Sequence, residues 1–298
     1  MLATLTSTWV LAADAEKKCE LGLVDTLPVS MNNLYRVPMI AGSINGKPTT
    51  VAVDLGSYNT KITKSVLDAM GITSWNTRDS MGGSGGNFRI MEVRLGELKA
   101  GPASGRGVFE VIDTSSASGF NMGADMLLRN DLEISLKENQ LKFFRTRNCE
   151  KSHLAYWSQD AVVLPFKIHG DDDVRPIFKV KVNGKEMTAV MSTASSTTTL
   201  NVNAARKLGL TVGSPQVTEG NQVKGMGKDM LSYWNVKIDA LEIGEERISN
   251  VTLGMIKEDV GVADVMFGLD FVRAHRIYIS MDQRQIYFTY IGGEIFAR

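Results

Sequence analysis

The sequence predicts a mainly β protein that consists of two homologous β-barrel-like lobes, each with one short helix. Three observations lead to this fold class. Short β-branched runs recur along the chain, glycine supplies 28 of the 298 residues, and the second half repeats the first in order. Apolar residues make up 43% and charged residues 22% of the chain, which is ordinary for a globular protein that buries a core.

The repeat begins with a hairpin and keeps its register through the following strand. Residues 44–47 (Ile-Asn-Gly-Lys) return as residues 182–185 (Val-Asn-Gly-Lys), and Asp54 returns as Ser192 at the same displacement. Both Asn-Gly pairs predict tight type I′ hairpin turns, because both central positions of such a turn require positive φ. Each half therefore starts with paired strands that lead to an equivalent turn.

The later elements of the repeat are a helix and a closing strand. Residues 66–72 match residues 204–210, with apolar residues at helical spacing followed by a glycine, so one short helix is expected in each half. Residues 122–127 (Met-Gly-Ala-Asp-Met-Leu) match residues 267–272 (Phe-Gly-Leu-Asp-Phe-Val) near the end of each half. We expect an N-terminal lobe over 16–145, a linker over 146–161 and a C-terminal lobe over 162–298.

Residues 1–15 have the features of a signal-peptide remnant. An apolar stretch is followed by Ala13-Asp14-Ala15, a small-x-small cleavage pattern, and then by polar residues. Because no positively charged leader precedes the apolar stretch, a loose terminus is the alternative interpretation. We favour export, so that the protein is expected to be periplasmic or secreted.

Charge and residue counts argue against several functional classes. Lys plus Arg equals Asp plus Glu at 33 each, so no net field favours nucleic acid or an anionic membrane. No later run approaches the roughly 18 apolar residues of a membrane span. The three histidines show no metal-ligand spacing, and we expect neither a metal nor a cofactor. In an exported protein Cys19 and Cys149 could form a disulfide, and two free thiols are the alternative.

The residues most suited to chemistry lie at the repeated turn. The apolar strand Val51-Ala52-Val53 runs into Asp54, and Gly56 follows two residues later, where the backbone can approach closely and offer amide donors. An aspartate that caps an ordinary β-turn is the simpler interpretation. The repeat favours a functional site, because a duplicated lobe places equivalent turns face to face.

Two glycine-rich stretches lie after the key turns. One contains Gly82, Gly83, Gly85 and Gly86, and the other contains Gly225 and Gly227. Neither is followed by the Lys-Ser/Thr pair that a phosphate-binding loop needs. Flap-like hairpin tips that cover a groove suit the position of both stretches, and for the second stretch we still favour an ordinary solvated loop.

These motifs resemble the pepsin-like and retropepsin-like aspartic proteases, in particular exported bacterial retropepsin-like proteins (peptidase A2). In that family an apolar strand runs into Asp-Thr/Ser-Gly-Ala/Ser, and a later strand carries two apolar residues and a glycine. Residues 51–57 resemble the first pattern, and residues 266–271 and 121–126 resemble the second. The resemblance implies the two-lobed aspartic-protease fold, with Asp54 as a candidate catalytic residue and Ser192 as its degenerate counterpart.

The residues around the two implied catalytic positions depart from the family pattern. In the first turn Leu55 replaces the hydroxyl residue, followed by Gly56 and Ser57. In the second turn Thr193 is kept, but Ala194 replaces glycine before Ser195. In the family, two carboxylates share one proton, and one acts as general base while the other acts as acid. Only one of the two is present here.

Three hypotheses about function follow. The favoured one is an aspartic peptidase homologue, with lost or reduced proteolysis, that binds an extended peptide or protein segment between its lobes as a monomer. The second is an active endopeptidase that uses Asp54 with Ser192. The third is a structural or assembly protein with a vestigial cleft.

Overall fold

The computed structural model describes residues 18–32, 36–83, 86–113, 118–224, 230–257 and 263–296. The strands and helices of the first half are β1 Glu20–Pro28, β2 Ser30–Met31, β3 Pro38–Ile44, β4 Lys47–Val53, β5 Lys61–Thr63, α1 Lys64–Ala69, β6 Trp75–Gly83, β7 Gly86–Ala100, β8 Ala103–Ile112, β9 Phe120–Met122, α2 Ala124–Leu127, β10 Asp131–Ser135 and β11 Gln140–Arg147. Those of the second half are β12 Val162–Lys167, β13 Ile177–Val182, β14 Lys185–Met191, β15 Thr199–Asn201, α3 Val202–Lys207, β16 Val217–Glu219, β17 Val223–Lys224, β18 Met230–Leu231, β19 Tyr233–Ile243, β20 Glu246–Ile256, β21 Val265–Phe267, α4 Leu269–Val272, β22 His275–Ser280 and β23 Gln285–Tyr290.

Each half forms a sheet that folds back on itself. In the first lobe the strand order is β2-β3-β4-β9-β5-β8-β7-β6, and β3 also pairs with β7. In the second lobe β13-β14-β21-β15-β20-β19-β16 follow the same order, and β13 also pairs with β19. These extra pairings give each lobe its barrel-like closure. The predicted fold class, two homologous mainly β lobes with short helices, is confirmed.

A single sheet joins the lobes. Strands β1, β11 and β10 of the first half continue through β22, β23 and β12 of the second. The central pair is antiparallel, with Leu132 opposite Ile279 and Ile134 opposite Ile277, all of them buried. Because β10 and β22 occupy equivalent places in the repeat, the halves meet about a pseudo-two-fold axis.

The hairpin turns at the start of each half follow from their Asn-Gly pairs. Asn45 and Gly46 have φ of 47° and 75°, and Asn183 and Gly184 have φ of 48° and 75°. Positive φ at both positions is the requirement of the type I′ turn that the sequence predicts. These turns set the register of β3 with β4 and of β13 with β14, and so determine where each strand ends.

The stretch over 146–161 is anchored on the central sheet. Leu154 and Ala155 are buried with Phe144 and Tyr278, and the Trp157 indole N–H donates to the Thr289 hydroxyl at 3.1 Å. A disulfide joins Cys19, which immediately precedes β1, to Cys149. The polar composition of this stretch concealed a buried apolar face. Within the described ranges, no helix combines the length and apolar character needed to cross a membrane.

Candidate active site

The two repeated turns are placed by apolar strands that end at the same level of each lobe. In β4 Val51 and Val53 are fully buried, and the Asp54 N–H donates to the Met122 carbonyl at 3.0 Å. In the second lobe the Ser192 N–H donates to the Phe267 carbonyl at 2.8 Å. The resulting side chains are almost enclosed, with 7% of Asp54 and 4% of Ser192 exposed.

Asp54 and Ser192 contact each other between the lobes. The Ser192 hydroxyl donates to Asp54 Oδ1 at 2.9 Å, and the Gly56 N–H donates to the same oxygen at 2.8 Å. The Asn121 amide donates to Asp54 Oδ2 at 3.3 Å. Both oxygens of the carboxylate are therefore held by neutral donors.

The Ser192 hydroxyl is itself fully used. It gives its single proton to Asp54, and its oxygen accepts from the backbone N–H groups of Ala194 at 3.3 Å and Ser195 at 3.2 Å. One donor and two acceptor positions exhaust the capacity of a hydroxyl. The pair is thus a closed hydrogen-bonded unit.

Thr193 links the two turns across the lobe boundary. Its hydroxyl donates to the Val53 carbonyl at 2.6 Å and accepts from the Leu55 N–H at 3.2 Å. Leu55, at the equivalent place in the first turn, is buried and has no hydroxyl with which to reciprocate. The link therefore comes from the C-terminal lobe alone.

Gly56 is required by the close approach of the turns. A Cβ added there would lie 2.6 Å from Ser192 Cβ and 2.7 Å from its Oγ. Ala194, at the equivalent place, is half-buried and is accommodated. Ser57 and Ser195 are used alike, since each hydroxyl donates to a carbonyl two residues later at 2.8 Å.

A hydrogen-bonded threonine–aspartate pair follows each turn and supports it. The Thr60 hydroxyl donates to Asp125 at 2.7 Å, and the Thr198 hydroxyl donates to Asp270 at 2.7 Å. Burial raises the pKa of Asp125, although the bond from Thr60 opposes that shift. The sequence analysis did not assign these residues to the site. The signal for them was the aspartate that recurs in residues 122–127 and 267–272.

Lys61 is a buried charge beside the first turn. Only 1% of its side chain is exposed, and its ammonium donates to the Ser57 hydroxyl at 3.2 Å and to the Asn59 side chain, and lies 3.7 Å from the Glu110 carboxylate. It also sits 4.5 Å from the centre of the Tyr58 ring. Burial lowers the pKa of Lys61, against the opposing charge of Glu110. The sequence analysis did not assign Lys61 to the site. The signal that could have identified it is the difference between the halves, since the second half has Thr199 at the equivalent position.

A second cation reaches the first turn from the other lobe. Arg175 donates to both carboxylate oxygens of Asp173, at 2.8 and 2.6 Å, and to the Gly56 carbonyl at 3.0 Å. Burial alone would raise the pKa of Asp173, but the bonds and charge of Arg175 lower it overall. Arg175 therefore helps Thr193 to fix the turn that carries Asp54.

The first glycine-rich stretch forms a hairpin between β6 and β7. Gly83 pairs with Gly86 at its end, Gly82 lies in β6, and Gly85 lies outside the described residues. Gly225 and Gly227 also lie outside them, between the paired strands β17 and β18. In the described part of the chain no three His, Cys, Asp or Glu side chains are grouped to hold a metal ion.

A match to a known family agrees with this geometry. The aspartyl protease family model matches residues 40–132 in the first lobe and 178–271 in the second, which together make up more than half of the chain. One similar solved structure is the crystal structure of basic 7S globulin from soybean, with 11% identity, coverage of 93% of this chain and 98% of that chain, and a TM-score of 0.48. No curated protein gives a significant match. The paired turns and the match in both lobes show that the chain belongs to the aspartyl protease family.

Proposed function

We propose that this protein binds extended peptides between its lobes and that its proteolysis is lost or much reduced. The observation that carries the proposal is the Asp54–Ser192 hydrogen bond, which occupies the place of a carboxylate pair. A two-acid mechanism needs one group to take a proton from water and another to supply one to the peptide carbonyl.

The closed unit described above is poorly suited to that exchange. The Ser192 proton is already directed at Asp54 Oδ1, and a serine hydroxyl cannot store and return a proton as a carboxyl does. Asn121 holds the other oxygen, so a water molecule that approached Asp54 would compete with an existing donor. Each feature opposes activation of water.

Peptide binding, unlike peptide cleavage, does not require a pair of catalytic acids. Backbone hydrogen bonds to sheet edges and hairpins give affinity that tolerates many sequences. The β6–β7 hairpin, with its glycine-containing end, is the element best suited to lie over an extended chain. An active endopeptidase using Asp54 with Ser192 remains the alternative, and a structural protein without a ligand is the other.

The decisive experiment compares the protein with its Asp54→Asn variant. Each is incubated with a mixed peptide library from acidic to neutral pH; cleavage is followed by mass spectrometry and binding by thermal shift. We expect no cleavage and a peptide-dependent rise in melting temperature. Cleavage that disappears in Asp54→Asn would support the active-enzyme alternative, and neither cleavage nor a shift would support the structural one.

A revertant tests whether the rest of the scaffold is competent. The variant Leu55→Thr, Ser192→Asp, Ala194→Gly restores both family motifs. Activity gained by this variant and lost again on Asp54→Asn would show that the missing carboxylate limits catalysis. If none is gained, more than the pair of turns has diverged.

Export and a monomeric state are parts of the same proposal. A disulfide such as Cys19–Cys149 persists in oxidising compartments and not in a reducing cytosol. Because one chain supplies both turns, no second copy is needed to complete the site. Mass spectrometry of protein from the exported fraction, with cleavage expected near Ala15, and light scattering coupled to gel filtration test these two points.

A further inference from the structure

A row of polar and aromatic side chains crosses the sheet of the first lobe at one level. Directly opposed pairs link neighbouring strands from β6 through β7, β8 and β5 to β9. Residues directly opposite each other project from the same face of a sheet. The members of this polar row are Trp75, Glu92, Glu110, Lys61 and Asn121.

The polar row is continuous with the candidate site. Side-chain contacts confirm the shared face, since the Trp75 indole N–H donates to Glu92 at 3.1 Å and Lys61 lies 3.7 Å from Glu110. At its inner end Asn121 donates to Asp54. A peptide that lay over Asp54 on the side of the first lobe would therefore meet this row.

The second lobe has the same row of positions without charge. There the opposed pairs join Thr218, Asn235, Gly254, Thr199 and Met266. Tyr233 covers the glycine, because a Cβ added to Gly254 would lie 2.5 Å from its hydroxyl oxygen. The repeated fold therefore does not require charged side chains at this level, and those of the first lobe need an explanation other than folding.

The carboxylates in and beside the polar row outnumber its cation. Glu92, Glu110 and Asp54 face one ammonium, that of Lys61, which is enclosed. The Glu110 Oε2 atom is buried and makes no hydrogen bond in the described structure, and its ion pair with Lys61 is long, at 3.7 Å. The nearby Arg175 is already engaged with both oxygens of Asp173. Arg94, two residues beyond Glu92 on the same face of β7, is exposed and adds a second cation. Three carboxylates therefore face two cations, which leaves this side of the site with an excess of one negative charge.

The outer end of the polar row is accessible. Trp75 is 42% exposed, and its bond to Glu92 holds the indole beside that carboxylate. An aromatic face next to carboxylates is a favourable environment for an ammonium or guanidinium group, which gains both charge-assisted hydrogen bonds and cation–π attraction. The uncharged row of the second lobe offers no such partner.

We infer that the polar row makes the site selective for peptides that present a lysine or arginine to the first lobe. This inference rests on the proposed peptide binding and adds the class of ligand. Glu92 and Glu110 are the specificity-determining residues, and Trp75 packs against the basic side chain. We expect the peptide side chain that contacts the equivalent row of the second lobe to be uncharged.

The test uses pairs of fluorescent peptides that differ by lysine or norleucine at one position, scanned along an extended host peptide. Norleucine keeps the apolar stem and removes the charge, so the ratio of the two dissociation constants isolates the ammonium group. At one position we expect lysine to bind about tenfold more tightly, the effect of one charge-assisted hydrogen bond. The ratio should fall as salt rises.

Variants then test whether the polar row causes the preference for lysine over norleucine. Glu92→Gln and Glu110→Gln should each reduce it to about threefold or less, because each removes a carboxylate and keeps its shape. Glu186→Gln, which changes an exposed glutamate of the second lobe, is the matched control and should leave the ratio at tenfold. If Glu110→Gln does not fold, Glu92→Gln still tests whether the carboxylates of the polar row cause the preference.

The outcomes separate this inference from the proposed function. Peptides that bind with equal affinity for lysine and norleucine at every position would overturn the selectivity and leave peptide binding intact. A lysine preference that survives both glutamine variants would also overturn it. If no peptide binds, both the inference and the proposed function fail.

Discussion

Replacement of Thr193 by valine tests the link between the turns most directly. Thr193 is 1% exposed, and its hydroxyl makes two hydrogen bonds across the lobe boundary, to the Val53 carbonyl at 2.6 Å and from the Leu55 N–H at 3.2 Å. Valine has nearly the same shape but neither donates nor accepts. Each buried hydrogen bond contributes about 1 kcal/mol, and a polar group left without a partner costs more. We expect the free energy of unfolding to fall by about 2 to 3 kcal/mol.

The assay is guanidinium unfolding followed by tryptophan fluorescence, with two companion variants. Thr193→Ser keeps the hydroxyl and should lose only about 1 kcal/mol, for the missing methyl group. Thr218→Val makes the same chemical change on an exposed strand residue and should stay within about 0.5 kcal/mol of the unmodified protein. If Thr193→Val is as harmless as Thr218→Val, or Thr193→Ser is as costly as Thr193→Val, the hydroxyl does not hold the turns together.

Three further predictions concern the site and the disulfide. Gly56→Ala forces a methyl group against Ser192 and should cost about 1 to 3 kcal/mol in thermal unfolding, whereas Ala194→Gly should change stability by less than about 1 kcal/mol; equal effects would contradict the close approach. Burial lowers the pKa of Lys61 below its ordinary 10.5, so the unfolded chain binds more protons between the two pKa values. The stability of the protein relative to Lys61→Met should therefore rise with pH as the pH approaches the ordinary 10.5, and a flat difference would show that the folded state keeps the ordinary pKa. The disulfide closes a separation of 130 residues, so Cys149→Ser should lower the free energy of unfolding by about 4 to 5 kcal/mol, and a loss under about 1 kcal/mol would refute that role.

The sequence was sufficient to predict the fold because its strongest signals are local and repeated. The Asn-Gly turns fix hairpins by backbone conformation alone, and their recurrence at the same distance from Asp54 and Ser192 aligns the two lobes. From that alignment the meeting of the two turns could be anticipated, and the structure places the side chains 2.9 Å apart.

The remainder of the site depends on which strands lie side by side. Asn121 reaches Asp54 because β9 pairs with β4, the strand that leads to Asp54, and Glu110 reaches Lys61 because β8 pairs with β5. The linear spacing of these residues contains no sign of that strand order. Arg175 is more distant still, since it comes from the other lobe. The anchoring of the expected linker over 146–161 was not predicted for a related reason: a few buried residues, such as Leu154, hold a segment whose average composition is polar.

The single sheet that runs through both lobes has a consequence for how this protein could change over time. In a symmetric pair of identical chains, one codon specifies both turns, so a substitution that removes one carboxylate removes the other as well. Here β10 and β22 hold two separately encoded copies in one molecule. Each turn can therefore vary while its counterpart stays fixed. Ser192 opposite Asp54, and Thr199 opposite Lys61 in the repeat, are the differences that such independence permits.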